Sequence, residues 1–169
     1  IDLSNYLINE AKSKLGSSYK KFAGRLKFEI SDMRYIKQKD KFDLAVNLFS
    51  SFGYFEKDSE NFKTFKSISK SLKKGGYFFF DFLNPVYLKE HLVNYDIKEG
   101  NDKIIIQVRN ISNETVHKDI IIIKNNLKGK LPKLVKFSEM IKLYSAGRFK
   151  KELAKAGLKA VKMFGDYSG

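Results

Sequence analysis

FDLAVNLFSSFGYF, residues 42–55, sets the architecture expected of the whole chain. After its opening aromatic and acidic residues comes the short apolar run Leu44–Ala45–Val46, and the pattern breaks at Asn47–Leu48–Phe49–Ser50–Ser51. A short apolar run without polar alternation predicts a strand buried on both faces of a parallel sheet. In open α/β sheets, ligands bind beyond the carboxyl ends of the strands. With Val46 ending a central strand, Asn47–Tyr54 becomes the floor of a site. Pattern alone points to an α/β nucleotide-type site.

Upstream, Ile1–Leu3 reads as the tail of a strand and Ser4 as the N-cap of a helix carrying Leu7, Ile8, Ala11 and Leu15 at helical spacing, with Gly16 at its end. Asp2 therefore sits where α/β folds place an acid to bind a ribose diol, two acceptor oxygens facing two hydroxyl donors. A surface aspartate near a helix start is the other reading. Ser17–Lys27, SSYKKFAGRLK, is a basic connection, read as a solvated loop in preference to a phosphate-contacting one. Leu26–Ile30 reads as a second strand. Asp32 lies past its end, placed to accept from an adenine amino group while Met33 packs on the ring, or else simply to form a turn.

Downstream, Asp58 or Ser59 caps a helix whose stripe of Phe62, Phe65, Ile68 and Leu72 reads as core, and Gly75–Gly76 ends it. Tyr77–Phe82 is a dense aromatic strand, also expected to be buried on both sides, leading into the polar cluster Asp81–Pro85 and a short helix over Val86–Val93. The character changes near Tyr95. Lys103–Val108 and Asp119–Lys124 are Ile-rich β runs joined by a polar segment containing Asn110 and Asn113, and Leu134–Tyr144 adds another strand. This predicts an antiparallel insertion. Ser145 then caps a helix with Phe149, Leu153 and Ala156 inward, Gly157 ends it, and Leu158–Phe164 is a last strand. The expected division of this one domain is 1–94, 95–144 and 145–169.

The 169 residues suffice for one domain with a sizeable core, and 43% hydrophobic content is ordinary. The absence of cysteine excludes disulfides and thiolate metal sites and fits a cytoplasmic location. No apolar run approaches the roughly 20 residues of a membrane span. The net charge of +14, from 33 basic and 19 acidic residues, invites a nucleic-acid or anionic-membrane partner. Scarce arginine and scattered lysines favour solvated surface instead. His91 and His117 stand alone, so neither a metal site nor a Ser–His–Asp set is expected. A start at Ile1–Asp2 without methionine, and an abrupt end at Gly169, suggest a fragment.

Taken in order, IDLSNYLINEAK, FEISDMR, FDLAVNLFSSFGYF, LKKGGYFFFDFLNP and EMIKLYSAGRFKKELAKAGLKAVKMFGDYSG resemble the class I S-adenosylmethionine-dependent methyltransferases over nearly the whole chain, with most likeness to the bacterial small-molecule branch. The resemblance implies an α/β, Rossmann-like methyltransferase sheet with helices on both faces, missing its first and last strands, plus a small antiparallel β insertion on the substrate side. It also implies S-adenosyl-L-methionine as cofactor. Asp2 would hold its ribose, Leu3 would pack on the adenine, Asp32 and Met33 would complete the adenine pocket, and Asn47, Leu48 and Phe49 would line its methionine part. Phe52, Tyr54, Asn84 and Tyr144 fall on the substrate side.

The family's glycine-rich loop and its first and last strands are not matched, so the 169 residues alone are expected to bind cofactor poorly and to be destabilised. The implied reaction moves a methyl group in line from a sulfonium to a nucleophile, which asks of the protein mainly alignment and exclusion of water. The expected acceptor is a small molecule, with an RNA acceptor, a nicotinamide dehydrogenase and a non-catalytic α/β remnant as alternatives.

Overall fold

Local chemistry in the first turn sets α1, Asn5–Ser17. The computed structural model describes residues 1–124 and 132–166. Ser4 is extended, and its Oγ accepts from the Leu7 N–H at 3.2 Å, meeting one of the donors that a helix start leaves open. The helix runs through Gly16, against the expected stop there, and Ser18 closes it by donating its N–H to Lys14 O. Asp2 pairs with Ile30 in a parallel bridge: the Asp2 N–H donates to Glu29 O, and the Ser31 N–H donates to Asp2 O. The two expected strand ends are thus neighbours, reduced to this one bridge. Between α1 and Leu26, Lys20–Arg25 forms a 3-10 turn with no buried residue.

β1, Phe42–Asn47, lies beside β2, Leu72–Phe80, in a two-stranded sheet. Both run the same way. Gly76 lies against the carbonyls of Phe42 and Asp43, and five residues on, the Asp81 N–H donates to Asn47 O at 2.9 Å. α2, Asp58–Ser71, joins them. Its Phe65 and Ile68 are buried, and the Phe65 ring meets Phe78 edge-on at 6.0 Å. Small polar residues fill the gaps: Ser67 Oγ accepts from the Ile36 N–H at 2.8 Å, and the Ser71 hydroxyl donates to Ile68 O.

The expectation that β1 and β2 are buried on both faces fails. Leu44 and Val46 are each 57% exposed, and Tyr77 and Phe79 are exposed as well. A strand alternates its side chains between two faces, and no described residue covers the second one.

The rest of the β structure is one antiparallel sheet in the order β3 (Tyr95–Glu99), β4 (Lys103–Ser112), β5 (Thr115–Lys124), β6 (Lys133–Lys142). β3 was not expected. β4 and β5 run further than their Ile-rich cores and meet in a two-residue turn at Asn113–Glu114, with φ of 48° and 54°. Two successive left-handed residues make the turn whose twist suits a hairpin. Asn110, read as part of a polar linker, is paired within β4 opposite His117.

α3, Pro85–His91, and α4, Ala146–Lys155, complete the helices. Gly157 ends α4 at φ 81°, as expected. Leu158–Phe164, expected as a strand, forms none. No helix among them is long and apolar enough to cross a membrane.

The chain divides into two compact units. One comprises Ile1–Val46, Phe62–Phe79 and Glu152–Gly169, and the other comprises Asn47–Asn61 and Phe80–Lys151. The core of the first holds Ile8, Phe65, Ile68 and Leu72; that of the second holds Phe52, Val116, Leu143 and Tyr144.

Candidate functional site

In the first unit, the bridge between Asp2 and Ile30 brings the two predicted acids Asp2 and Asp32 to neighbouring strand ends. Their carboxylates differ in what they have left to offer. Asp2 is exposed, and one oxygen accepts the Ser4 N–H at 2.7 Å. The other has no protein partner among the described residues and is open to a hydroxyl donor. Leu3 is 59% exposed beside it.

Asp32 is instead chelated by its own neighbour. The Arg34 guanidinium donates to both carboxylate oxygens, at 2.6 Å from Nη2, and the Arg34 N–H donates to Oδ1 as Asp32 caps the turn Met33–Tyr35. These hydrogen bonds hold its pKa below the usual carboxylate value, against the opposing effect of partial burial. The expectation that Asp32 accepts from an adenine amino group is therefore not met by this arrangement, in which its oxygens are taken up. Met33 is half-buried in the turn that Asp32 caps.

In the second unit, the chain leaves β1 in a tight excursion. Phe49 and Ser50 are both left-handed, at φ 56°. For residues other than glycine this costs of order 1–3 kcal/mol each and persists only where the surroundings impose it. Here Asp81 imposes it: its Oδ2 accepts the Phe49 N–H at 2.8 Å, while its own N–H is held by Asn47 O. Phe49 projects with 84% exposure and Leu48 with 38%. Asn47 donates Nδ2 to Ser51 O at 3.0 Å, but its Oδ1 is buried with no hydrogen-bond partner. A buried acceptor without a donor is uncommon in folded proteins and calls for an explanation. Sequence reasoning placed Asp81 at a strand end without a role; its role here is to anchor the strained loop.

The four substrate-side expectations separate. Phe52 is 1% exposed, with the rings of Phe80, Phe82, Tyr144 and Phe149 around it at 5.4–5.9 Å. It is a core residue and presents no surface to a substrate. Tyr144 is buried too, its hydroxyl donating to Asp58 Oδ1 at 2.9 Å and receiving Asn61 Nδ2 at 2.9 Å. Asn84 caps α3, its Oδ1 accepting from the Val86 and Tyr87 N–H groups, with Pro85 in the first turn. That role was legible in the Asn-Pro pair, since proline favours the first helical position. Asn84 is exposed and keeps its Nδ2 donor outside the cap, and Tyr54 is 45% exposed, its hydroxyl donating to Glu139 at 3.1 Å.

Asp58 joins α2 to the end of β6. Besides Tyr144 it takes Lys142 at 2.7 Å and Arg148 at 3.7 Å. A polar notch of about 290 Å³ opens there, lined by Asp58, Glu114, Lys142, Tyr144 and Arg148 among others, and by none of the residues at the end of β1. Lys142, and then Tyr144, lower the Asp58 pKa despite the opposing effect of burial. A carboxylate with a lowered folded pKa contributes stability above its unfolded value, and that contribution disappears as pH falls through the folded value. Asp58→Asn is thus expected to be less stable than the native chain at neutral pH. The gap should close as pH drops below 3.8, the group's ordinary value. Urea midpoints measured across pH 2–7 check this; a gap that stays constant with pH would refute it.

No protein-family model matches the sequence, and no curated protein matches it. Solved structures do match in fold. An S-adenosylmethionine-dependent methyltransferase from Clostridium acetobutylicum superposes with a TM-score of 0.78 at 23% identity, over 95% of this chain and 63% of that one. A sugar N-methyltransferase from Streptoalloteichus gives 0.74 at 18% identity, over 93% and 61%. DesVI of Streptomyces venezuelae gives 0.73 at 18%, over 99% and 68%. The chain therefore has the α/β fold of these methyltransferases, antiparallel insertion included, and spans less than two thirds of the length of the first two.

Proposed function

We propose that the protein serves methyl transfer from S-adenosylmethionine to a small-molecule acceptor. The observation that carries this reading is the unpartnered Asn47 Oδ1, held at the carboxyl end of β1 beside a loop strained into place by Asp81. When bound, the cofactor supplies a methyl group activated by its sulfonium. Asn47 Oδ1 would accept from the ammonium of the methionine part, and the exposed Leu48 and Phe49 would shield that part from water. Asp2 would offer its open carboxylate oxygen to the ribose hydroxyls, and Leu3 and Met33 apolar surface to the adenine. Nothing in this assignment needs a general base, since a neutral amine or an ionised acceptor attacks unaided.

An RNA acceptor is disfavoured by how the lysines are disposed. They are spread in sequence along α1, the turn after it, α2 and all four strands of the antiparallel sheet, without a long basic block.

Asp2→Asn keeps an acceptor for the Ser4 N–H but removes the charge that would face the ribose. It is expected to weaken binding of S-adenosylhomocysteine by roughly tenfold, the scale of one charge-assisted hydrogen bond, with the unfolding midpoint unchanged. Isothermal titration of the two proteins measures it. Equal affinities would remove Asp2 from the site, and no binding by either protein even at millimolar ligand would remove the methyl-transfer reading.

A further inference from the structure

Lysines that lie far apart in the sequence meet at the amino end of β1. The segment Ile36–Lys41 runs along the last turn of α2: the Ile36 N–H donates to Ser67 Oγ, the Asp40 N–H to Lys70 O and the Lys41 N–H to Ser71 O. This sets Lys37, Lys39 and Lys41 beside Lys70, and Lys73 and Lys74 follow where β2 begins. Gly76 lies against the carbonyls of Lys73, Phe42 and Asp43. On the other side Gln38 Nε2 donates to Glu29 at 3.4 Å, and Glu29 is paired with Lys27.

The charge on this surface is unbalanced. These seven lysines stand against three acids, Glu29, Asp40 and Asp43, which leaves four positive charges. Lys27, and far less strongly Lys41, hold the Glu29 carboxyl below its usual value, so Lys41 acts on the same acid. Lys73 donates to both Asp43 oxygens, at 2.8 and 3.0 Å. Lys39, Lys41 and Lys74 are exposed and form no ion pair among the described residues. A helix end offers one reason for such cations, since lysine there meets the dipole and the open carbonyls. That reason is weak here, because the Asp40 and Lys41 N–H groups already take the Lys70 and Ser71 carbonyls.

Apolar side chains are interleaved with these charges. Leu26 precedes Lys27 and is 48% exposed; Phe42 follows Lys41 and is 37% exposed, with Lys41 Nζ 5.9 Å from its ring centre. Lysines around exposed aliphatic and aromatic groups suit a lipid headgroup layer, cations at the phosphates and apolar groups toward the acyl boundary. Lysine is also a point charge, without the planar fork with which arginine reads individual phosphates. This composition favours a diffuse anionic surface over a nucleic-acid backbone.

We propose that this lysine surface docks the protein on a bilayer containing anionic phospholipid, with Leu26 and Phe42 entering the headgroup region. The proposal does not depend on the methyl-transfer reading: the surface lies at the amino end of β1, the opposite end of that strand from Asn47. A lysine near an anionic membrane surface changes partitioning by about fivefold, so four net charges together reach roughly several hundredfold. The attraction falls off within a Debye length, roughly 10 Å at 0.1 M salt, which makes the docking reversible and salt-dependent.

Co-sedimentation with vesicles tests this, using phosphatidylcholine alone and phosphatidylcholine with roughly 30 mol% phosphatidylglycerol. The protein is expected to bind the anionic vesicles at least about a hundredfold more tightly at about 0.1 M salt, and to lose about tenfold or more of that at about 0.5 M. Lys39→Glu, Lys41→Glu and Lys74→Glu combined reverse three charges on the surface and should weaken binding at least about thirtyfold. Lys98→Glu, Lys103→Glu and Lys124→Glu combined change the net charge equally, but on β3, β4 and β5, and should bind within about threefold of the native chain. Urea midpoints show whether each variant folds, and the comparison of lipids and salts on the native chain stands without them. Equal binding to the two vesicles, or equal losses in the two folded variants, would overturn the proposal. So would a labelled RNA strand that bound through Lys39, Lys41 and Lys74 while the vesicles did not, which would make the surface a nucleic-acid one.

Discussion

Phe52→Ala is expected to lower the free energy of unfolding by about 3–5 kcal/mol, the range for removing a buried aromatic ring. Phe52 is 1% exposed and sits among four aromatic rings, all of them edge-to-face partners at 5.4–5.9 Å. Such edge-to-face pairs add to the area term, and a rigid cluster of rings collapses poorly around a cavity. Urea denaturation gives the number. A substrate-lining phenylalanine would behave in the opposite way, with a change below about 1 kcal/mol in stability, as is usual at surface positions, and a loss confined to acceptor binding. A loss that small would return Phe52 to the substrate side and unseat the description of this core.

The neighbouring residue should be nearly as sensitive for a different reason. Gly53 is left-handed at φ 87°, and a Cβ built on it would lie 2.7 Å from Lys142 O and 3.1 Å from Ile141 Cγ2. The first of these atoms is backbone, fixed further by the Lys142 N–H donating to Gly53 O at 2.9 Å. Gly53→Ala is expected to cost about 1–2 kcal/mol for the left-handed backbone and about 1–3 kcal/mol more for the overlap. Gly75 provides the control. It has φ of 80° but open space around it, so Gly75→Ala should cost only the backbone part. Parallel denaturant melts of the two variants separate strain from collision. If they lose equal stability, the loop does not press on β6 as described.

Such effects mark how far a one-dimensional reading reaches. The apolar run at Leu44–Val46 announced β1, and the phenylalanine stripe announced the buried side of α2. Ser4 and Ser145 announced caps that form through hydrogen bonds only three residues long. The hairpin of β4 and β5 was visible in its Ile-rich centres, while the extent of its strands was hidden because polar residues at the turn end read as linker. Asp32 shows the limit at short range too: a partner two residues away was in plain view, but only the turn at Met33–Tyr35 brings Arg34 round to clasp it.

The sequence by itself determined the helices α1, α2 and α4, the central runs of β1, β2, β4, β5 and β6, and the placing of polar residues after strand ends, because periodicity, capping and turn chemistry act within a few residues of where they are written. Only the tertiary structure decided which of those residues face a ligand and which face the core. Tyr144 meets Asn61 across 83 positions and Tyr54 meets Glu139 across 85, and no local pattern encodes a partner that distant. Phe52 and Phe49 lie three residues apart in one aromatic loop, alike in kind. The closing of four rings over one, and the hold of Asp81 on the backbone of the other, bury the first and leave the second in water.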